Sequence, residues 1–393
     1  MTEQAPLPPR MSLWQRSSLW ATVAVTLCLI VMAAHVMRVG GGLTALVGFG
    51  ETHPSALWED PRVPRGTVVQ RGEVGYDGQS YFILSLRPFA EESPVPIPRR
   101  QRILYPFLAW LISFGRPEVA AVSLALVNLI AIALGTALLA LWMRERALSP
   151  AWSVLGVASA GSLLSCQYLC PDALLVALLV AAVWSIDRRQ WPLAAIALAA
   201  ACLTKESALA AWLAVAVGVL VARPGGGAFL TLFAPVPWLL WVLALHQQTG
   251  EWVVSWSLTQ TQPMPGSGWF WALTEPLRDP STLRVSIGPC MLALLLAVGL
   301  ILAVRSRGGP RQMIAGMALL WGIAGLLWID AIWGHIVAIA RNMAPLTLFT
   351  VMLAAPRGRL ARWFVALLAL MVMAMVLARA MALGSVPEIF LTP

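Results

Sequence analysis

A carboxylate in a glycine-rich stretch is the first candidate for chemistry in this sequence. Asp77 lies within the segment Gly-Tyr-Asp-Gly-Gln-Ser-Tyr-Phe at 75–82, where glycines let the backbone turn and a substrate come close. An acid in such a place can accept a proton as a general base, with Tyr76 and Tyr81 as walls of a pocket. The alternative is that Asp77 caps a short helix beginning at Gly78.

Cations suited to binding phosphate stand at two further places. Arg99, Arg100 and Arg102 form a cluster just before an apolar segment, and guanidinium groups bind phosphate oxygens in pairs. The alternative is that they anchor the chain in lipid headgroups. Lys205 is the chain's one lysine; with Glu206 it separates two apolar runs, a depth at which charges are costly and usually functional.

Three of these charges have a structural alternative. Lys205 can bind a phosphate as a point charge, or it can pair with Glu206 or Asp172 and hold helices together. Asp172, at the start of an apolar helix, and Arg341, in a late polar break, can likewise line a site or only pair with other charges.

The composition indicates the class of protein in which these residues lie. The chain has 393 residues, of which 59% are hydrophobic and 11% charged, whereas a soluble domain has about 25% charged residues. An ordinary cytosolic enzyme, a disordered protein and a secreted disulfide scaffold are therefore excluded. Apolar stretches of about 20 residues recur to the end of the chain, which predicts an all-α polytopic membrane protein.

We predict eleven transmembrane helices, the first of them an uncleaved helix. Their approximate bounds are 19–39, 118–143, 150–169, 171–186, 190–203, 207–222, 228–246, 284–304, 313–330, 343–356 and 363–383. The whole of 1–393 is then one integral membrane domain. The five cysteines lie in or beside apolar segments, so we expect buried small hydrophobic residues and no disulfide framework.

The arginines predict the orientation. With a cytoplasmic N-terminus, the cytoplasmic segments hold 13 arginines and three acids, and the rest holds 14 basic and 15 acidic residues, as the positive-inside rule requires. The net charge of +9 is thus a topology signal, and we expect membrane lipids as partners and no nucleic acid. The polar segments 40–102 and 247–283 then face the non-cytoplasmic side of the inner (cytoplasmic) membrane. The second is rich in tryptophan, which is typical of a membrane interface.

The segment 75–82, followed by Arg-Arg-Gln-Arg-Ile-Leu-Tyr-Pro-Phe at 99–107, resembles membrane glycosyltransferases of the GT-C superfamily. The likeness is to bacterial members with a Tyr-Asp-Gly-Gln motif, many linked to cell-surface glycopolymers. It extends more distantly to GPI mannosyltransferases and protein O-mannosyltransferases. Weaker matches follow in the expected order at Pro171-Asp172, 203–209 and 341–346.

The resemblance implies a GT-C-like bundle whose long first loop carries interfacial helices. It implies transfer of a hexose or pentose from a polyprenyl-phosphate-linked donor to a hydroxyl of an envelope glycan, a lipid or a protein. Asp77 would be the catalytic base, and Glu51, directly after the first span, is the second candidate, with His53 as an assistant or a plain loop residue. The expected substrate-binding residues are Tyr76, Gln79, Tyr81, Arg99, Arg102, Asp172, Lys205, Glu206 and Arg341.

Cofactor use and one competing function stay open. Many GT-C enzymes carry adjacent acids in the first loop, whereas Asp77 has no acidic neighbour. This departure counts against the metal site of those enzymes, so a divalent metal stays possible only as an open alternative, and no metal ligands and no certain cofactor are assigned. The competing function is a glycolipid transporter or flippase without catalysis. Transporters usually place ionisable residues at mid-membrane and contain inverted repeats, whereas the polar residues here concentrate in outer loops.

Overall fold

The apolar runs of the sequence fold into a bundle of helices. The structure is a computed structural model, and it describes residues 13–223, 225–253, 267–278, 283–306, 309–326, 336–381 and 388–392. Within these residues there are seventeen α-helices. The bulk of the predicted aromatic stretch in the second polar segment, 254–266, lies outside the described residues.

The first half of the chain contains one long helix at each end of the first polar segment. Its helices are α1 (Leu13–Val39), α2 (Gly78–Leu86), α3 (Ile97–Arg100), α4 (Leu104–Ser113), α5 (Pro117–Arg144), α6 (Trp152–Val157), α7 (Ala160–Gln167) and α8 (Asp172–Asp187). The second half contains α9 (Trp191–Thr204), α10 (Ala208–Ala222), α11 (Val236–Thr249), α12 (Ser267–Arg278), α13 (Leu283–Val304), α14 (Gly309–Leu326), α15 (Ile336–Asn342), α16 (Ala344–Ala354) and α17 (Arg359–Met381).

The membrane-spanning character predicted from composition is confirmed. Four helical segments are long and apolar enough to cross a bilayer alone, within α1, α5, α13 and the stretch 228–249, and five shorter apolar helices accompany them. Every predicted span overlaps a helix, although 327–330 lies outside the described residues. The predicted span 150–169 is divided into α6 and α7 by a break at Ala158 and Ser159.

The helical bundle agrees with the predicted all-α fold class, and a small three-stranded sheet that was not predicted joins the first polar segment to residues near the C-terminus. Its strands are β1 (Phe49–Gly50), β2 (Val68–Gln70) and β3 (Ile389–Leu391). β1 and β2 are parallel, with Phe49 opposite Val69, and β3 is antiparallel to β2, with Phe390 opposite Val69. The C-terminal strand therefore lies at the same end of the bundle as the first polar segment, as an odd number of spans requires.

Small residues allow the helices near this end to approach closely. A Cβ atom on Gly161 of α7 would lie 2.1 Å from the carbonyl oxygen of Ala340, and one on Gly135 of α5 would lie 3.0 Å from Ala177 of α8. Close backbone contact through small residues is the usual means of helix association in membranes. The first of these contacts holds α15, and with it Arg341, against α7.

Candidate functional site

The glycine-rich loop places Asp77 at the start of α2. Gly75 has a φ of 78°, which the backbone needs in order to pair with Phe49 of β1. A Cβ atom on Gly78 would lie 2.3 Å from the carbonyl oxygen of Tyr168. A Cβ atom on Gly75 would likewise lie 2.5 Å from the carbonyl oxygen of Gly48, so the space at both glycines is taken by the protein's own backbone.

Two arginines hold the carboxylate of Asp77. Arg99 donates from Nε to Oδ1 at 2.9 Å, and its Nη2 lies 2.8 Å from the same oxygen. Arg341 donates from Nη2 to Oδ2 at 3.0 Å. Asp77 occupies the N-cap position of α2, yet its side chain makes no capping hydrogen bond. The side chain is thus committed to the arginines, and the alternative of a simple helix cap is wrong.

Asp172 is the centre of the deeper part of the site. Its fully buried carboxylate accepts from Lys205 Nζ at 2.6 Å on Oδ1 and from Arg341 Nε at 2.9 Å on Oδ2. Lys205 also donates to Oδ1 of Asn342 at 2.7 Å. Arg341 therefore bridges Asp77 and Asp172, and it joins the first loop to the start of α8.

Lys205 and Glu206 do not pair with each other. The backbone of Lys205 is extended, with φ −161° and ψ 132°, so successive side chains point to opposite sides. Glu206 instead accepts from Arg102, at 2.8 Å from Nε and 2.5 Å from Nη2. Nη1 of Arg102 donates to the hydroxyl of Tyr81 at 3.1 Å.

These contacts bring eight predicted residues to one place. We call this set the charged cluster: Tyr81, Asp77, Arg99, Arg102, Asp172, Lys205, Glu206 and Arg341. Its four cations and three carboxylates leave one positive charge in excess. The first loop, α8, the α9–α10 connection and α15 all contribute, so residues from four separate segments meet at one end of the bundle.

The charges determine how the loop groups titrate. Burial alone would raise the pKa of Asp77, but the positive charges of Arg99, Arg341 and Arg102 outweigh it and hold that pKa well below its usual range. Burial raises the pKa of the Tyr81 phenol to about 12. At neutral pH Asp77 is therefore a carboxylate and Tyr81 a neutral hydroxyl.

Two other candidates, Gln79 and Tyr76, serve the shape of the loop. The buried amide of Gln79 donates to the carbonyl of Val74 at 3.1 Å. Tyr76 stacks on Tyr168, with ring centroids 3.9 Å apart. Both support the turn that presents Asp77.

The second candidate base, Glu51, lies in an exposed turn. Its carboxylate accepts from the backbone N–H of Gly72 at 2.8 Å, and among the described residues none of the cluster's arginines contacts it. His53 is nearer to the cluster. Burial lowers its pKa, and the charges of Asp77 and Arg99 act on it in opposite directions. Arg100 turns away and donates to the carbonyl of Ala90 at 2.9 Å.

Three residues that support the charged cluster were not predicted: Asn342, Tyr168 and Asn128. Lys205 donates to Asn342 as well as to Asp172. Because Asn342 directly follows Arg341 in the chain, it could have been chosen as a site residue from the sequence. Tyr168, one of only four tyrosines, could have been noticed just before Asp172. Asn128 of α5 donates to the carbonyls of Ser165 and Cys170 at 3.2 and 3.0 Å, which fixes the turn before Asp172, but nothing in the sequence marks it.

A cavity of about 340 Å³ opens beside the charged cluster. Glu206, Ser207, Trp238 and Trp321 contribute to its mainly apolar wall. The Ser207 hydroxyl and the Trp238 indole nitrogen are themselves buried within this wall, and neither has a hydrogen-bond partner among the described residues. Its size falls in the range of about 300–1,000 Å³ typical of small-molecule pockets.

No group of three His, Cys, Asp or Glu side chains within the described ranges is placed to hold a metal ion. The acids of the charged cluster face arginine or lysine instead. The structure therefore assigns no ligands to the divalent metal that the sequence left open.

Comparison with known proteins identifies no family. No protein-family model matches the chain, and no curated protein matches it. Among solved structures it is similar to the crystal structure of ArnT from Cupriavidus metallidurans bound to undecaprenyl phosphate, with a TM-score of 0.45 and 15% identity. The match covers 89% of this chain and 62% of that one, so this chain spans less than two thirds of that protein. We therefore base the function on the residues of this chain.

Proposed function

We propose that the chain is a membrane glycosyltransferase that moves a sugar from a polyprenyl-phosphate-linked donor to a hydroxyl of an envelope glycan, a lipid or a protein. The supporting observation is the charged cluster, whose one excess positive charge lies where the first loop meets the apolar helices. A polyprenyl-phosphate sugar is a phosphodiester with one negative charge and an apolar tail, so it matches both the charge and the surroundings. The resemblance of the Tyr76–Tyr81 motif to GT-C enzymes supports the same class.

The proposed reaction needs one base and one stabilised leaving group. The acceptor oxygen forms a bond to the anomeric carbon while the bond from that carbon to the phosphate oxygen breaks. The phosphate leaves with the electron pair, and the hydroxyl proton passes to Asp77. Arg99 and Arg102 neutralise the departing phosphate, since arginine binds phosphate oxygens in pairs.

The deeper charges have a positioning role in this proposal. Lys205 and Arg341 are almost fully buried against Asp172, so they set the positive potential and hold the first loop in register. The sugar occupies the cavity beside Glu206, where indole walls suit its apolar faces.

The position of the cluster favours an enzyme over a transporter. Asp77 lies in a loop, Asp172 begins α8, and Lys205 lies between α9 and α10. Transporters usually bind their substrate near mid-membrane, between broken helices. Here the ionisable groups gather at helix ends on one side of the bundle, where the donor's phosphate and a water-soluble acceptor can both arrive.

The direct test is a donor panel. The purified protein in lipid bilayers is incubated with polyprenyl-phosphate hexoses and pentoses and a hydroxyl acceptor, and free polyprenyl phosphate is measured. We expect release with at least one donor, and loss of that release in Asp77→Asn. Movement of labelled donor across the bilayer without release of polyprenyl phosphate would instead establish the transporter.

The orientation is tested separately. We propose that the N-terminus is cytoplasmic and that the charged cluster faces the non-cytoplasmic side. Cysteines placed at Glu92 and at Gly358, both exposed, report on the two ends of the bundle. A membrane-impermeant maleimide added outside intact cells should label position 92 and leave position 358 unlabelled; the reverse pattern would contradict the orientation.

A further inference from the structure

The two arginines on Asp77 already hold an anion in the geometry that suits a phosphate. Two nitrogens of Arg99 lie 2.9 and 2.8 Å from one carboxylate oxygen, and Arg341 donates to the other oxygen at 3.0 Å. Guanidinium groups bind carboxylates and phosphates through the same paired donors. The Asp77 carboxylate therefore occupies the kind of site that a phosphodiester would fill.

This arrangement is unfavourable for a base. The arginines hold the pKa of Asp77 well below its usual range, although burial alone would raise it. A general base works best when its pKa lies near the working pH. The carboxylate as it stands is too weak a base to take a hydroxyl proton efficiently, so some event must remove positive charge from it.

Arg99 is the cation that is able to leave. Its side chain is 32% exposed and, among the described residues, bonds only to Asp77. Arg341 is 8% exposed and anchored by Asp172. Arg102 is held by Glu206 and Tyr81. An incoming anion can therefore attract Arg99 without dismantling the rest of the charged cluster.

We propose that the phosphate of the donor and the carboxylate of Asp77 compete for Arg99, so that donor binding releases Asp77 to act as the base. This inference rests on the proposed function and adds to it the order of events at the site. The base becomes competent only when a donor phosphate is present. No new bond is formed or broken by the exchange, since one ion pair replaces another.

Competition has a consequence that does not require turnover. If Asp77 occupies Arg99, then removing its charge must strengthen binding of a phosphate lipid. Undecaprenyl phosphate in nanodiscs is titrated into wild type and Asp77→Asn, and the dissociation constants are compared by calorimetry. We expect Asp77→Asn to bind the lipid about tenfold more tightly than wild type, which is a gain of about 1.4 kcal/mol in binding free energy. Asp77→Ser, also neutral and a good N-cap residue, should behave alike and serves if the Asn variant is unstable.

Two controls separate competition from general electrostatics. Asp60→Asn removes the same charge from the same loop, where Asp60 pairs with Arg62 at 2.5 Å, and it should leave the affinity unchanged. Arg99→Gln should weaken binding. In the Arg99→Gln background, neutralising Asp77 should gain much less affinity than in wild type.

The outcomes are distinct. Equal or weaker binding by both neutral Asp77 variants, with wild type binding normally, would overturn the competition and leave the proposed function standing. An equal gain in Asp60→Asn would also overturn it, since the effect would then be nonspecific. If wild type and every variant fail to bind undecaprenyl phosphate, the proposed donor class is wrong and the competition falls with it.

Discussion

The two ends of helix α8 use arginine in different ways. At its C-terminal end, Arg146 pairs with Asp187 at 2.5 Å and stacks over Trp142, 3.9 Å from the ring. Arg188 pairs with Glu145 in the same way and stacks over the ring of Trp184. Each of these arginines has one acidic partner and is partly exposed. Pairs of this kind contribute about 0–1 kcal/mol each.

At the N-terminal end of α8 the charges are buried and shared. Asp172 holds Lys205 and Arg341 together, and Arg341 also reaches Asp77. Burying charges in this way costs desolvation free energy, which is recovered only while every partner is present. Charged groups inside membrane proteins are usually retained for function. This difference is the one we expect if one end of the bundle anchors the chain and the other end carries out the proposed reaction.

The largest difference between the two ends should appear in turnover. Asp77→Asn keeps the size of the side chain but cannot accept the proton, so we expect kcat to fall about 10²–10⁴-fold while the protein remains folded. Asp187→Asn, the matched change at the opposite end, should stay within about twofold of wild type. Release of polyprenyl phosphate from the best donor provides the measurement.

Glu51→Gln belongs in the same assay, because Glu51 is the other candidate base. The Glu51 carboxylate accepts a hydrogen bond from Gly72 in an exposed turn, so we expect the Glu51→Gln variant to keep most of the wild-type activity. If Glu51→Gln abolishes turnover while Asp77→Asn keeps more than about a third, the assignment of the base is wrong.

The next difference concerns stability. Lys205→Met leaves the buried Asp172 with one cation, and breaking a buried pair costs about 3–5 kcal/mol. Arg146→Met at the opposite end should cost about 1 kcal/mol or less. Melting temperatures in detergent should therefore drop clearly for the first variant and little for the second. Similar small drops in both would mean that Lys205 is not part of a tight pair.

A smaller effect is expected from packing behind the site. In Gly78→Ala the new methyl group meets the carbonyl oxygens of Tyr168 and Val47, and such overpacking costs about 1–3 kcal/mol. Gly358, at the opposite end, has nothing within 4 Å of its Cβ position, so Gly358→Ala should change stability by less than about 0.5 kcal/mol. Thermal unfolding of the pair decides the point, and an unaffected Gly78→Ala would show that α2 does not press against the turn before α8.

The smallest effect is the response to acid. Because the folded pKa of Asp77 is depressed, its stabilising contribution is complete above the unfolded value of about 3.9 and is lost as the pH falls below it. Between pH 6 and pH 3 the melting temperature of wild type should therefore fall further than that of Asp77→Asn, by about 2 °C. Equal acid sensitivity would show that the arginines do not hold the Asp77 carboxylate in solution.

Much of this architecture was predictable from the sequence, because apolar length and arginine placement are local signals. They located the helices and placed Asp77 and the Lys205 connection at the same end. The small sheet escaped prediction, because its strands have two or three residues and show no periodicity. β3 also pairs across more than 300 residues of chain, a distance at which no local pattern operates.

The partners within the site were harder to predict than its members. Pairing of Lys205 with Glu206 or Asp172 was the alternative to binding a phosphate. The extended backbone at Lys205 directs neighbouring side chains apart, so Lys205 meets Asp172 and not Glu206. Asp77 had the position of a helix cap, but Arg99 and Arg341 take its carboxylate instead. Such choices depend on residues brought in from distant helices, which one sequence does not reveal.

The central claim is that the buried end of the bundle receives the donor phosphate. A polyprenyl phosphate carrying a photoreactive diazirine beside its phosphate group tests it directly: the protein is irradiated with the probe in bilayers, and labelled peptides are mapped by mass spectrometry. We predict labels within 99–102 or around Arg341, suppressed by excess undecaprenyl phosphate. Labels confined to the opposite end, around Arg146 and Arg188, would contradict the account.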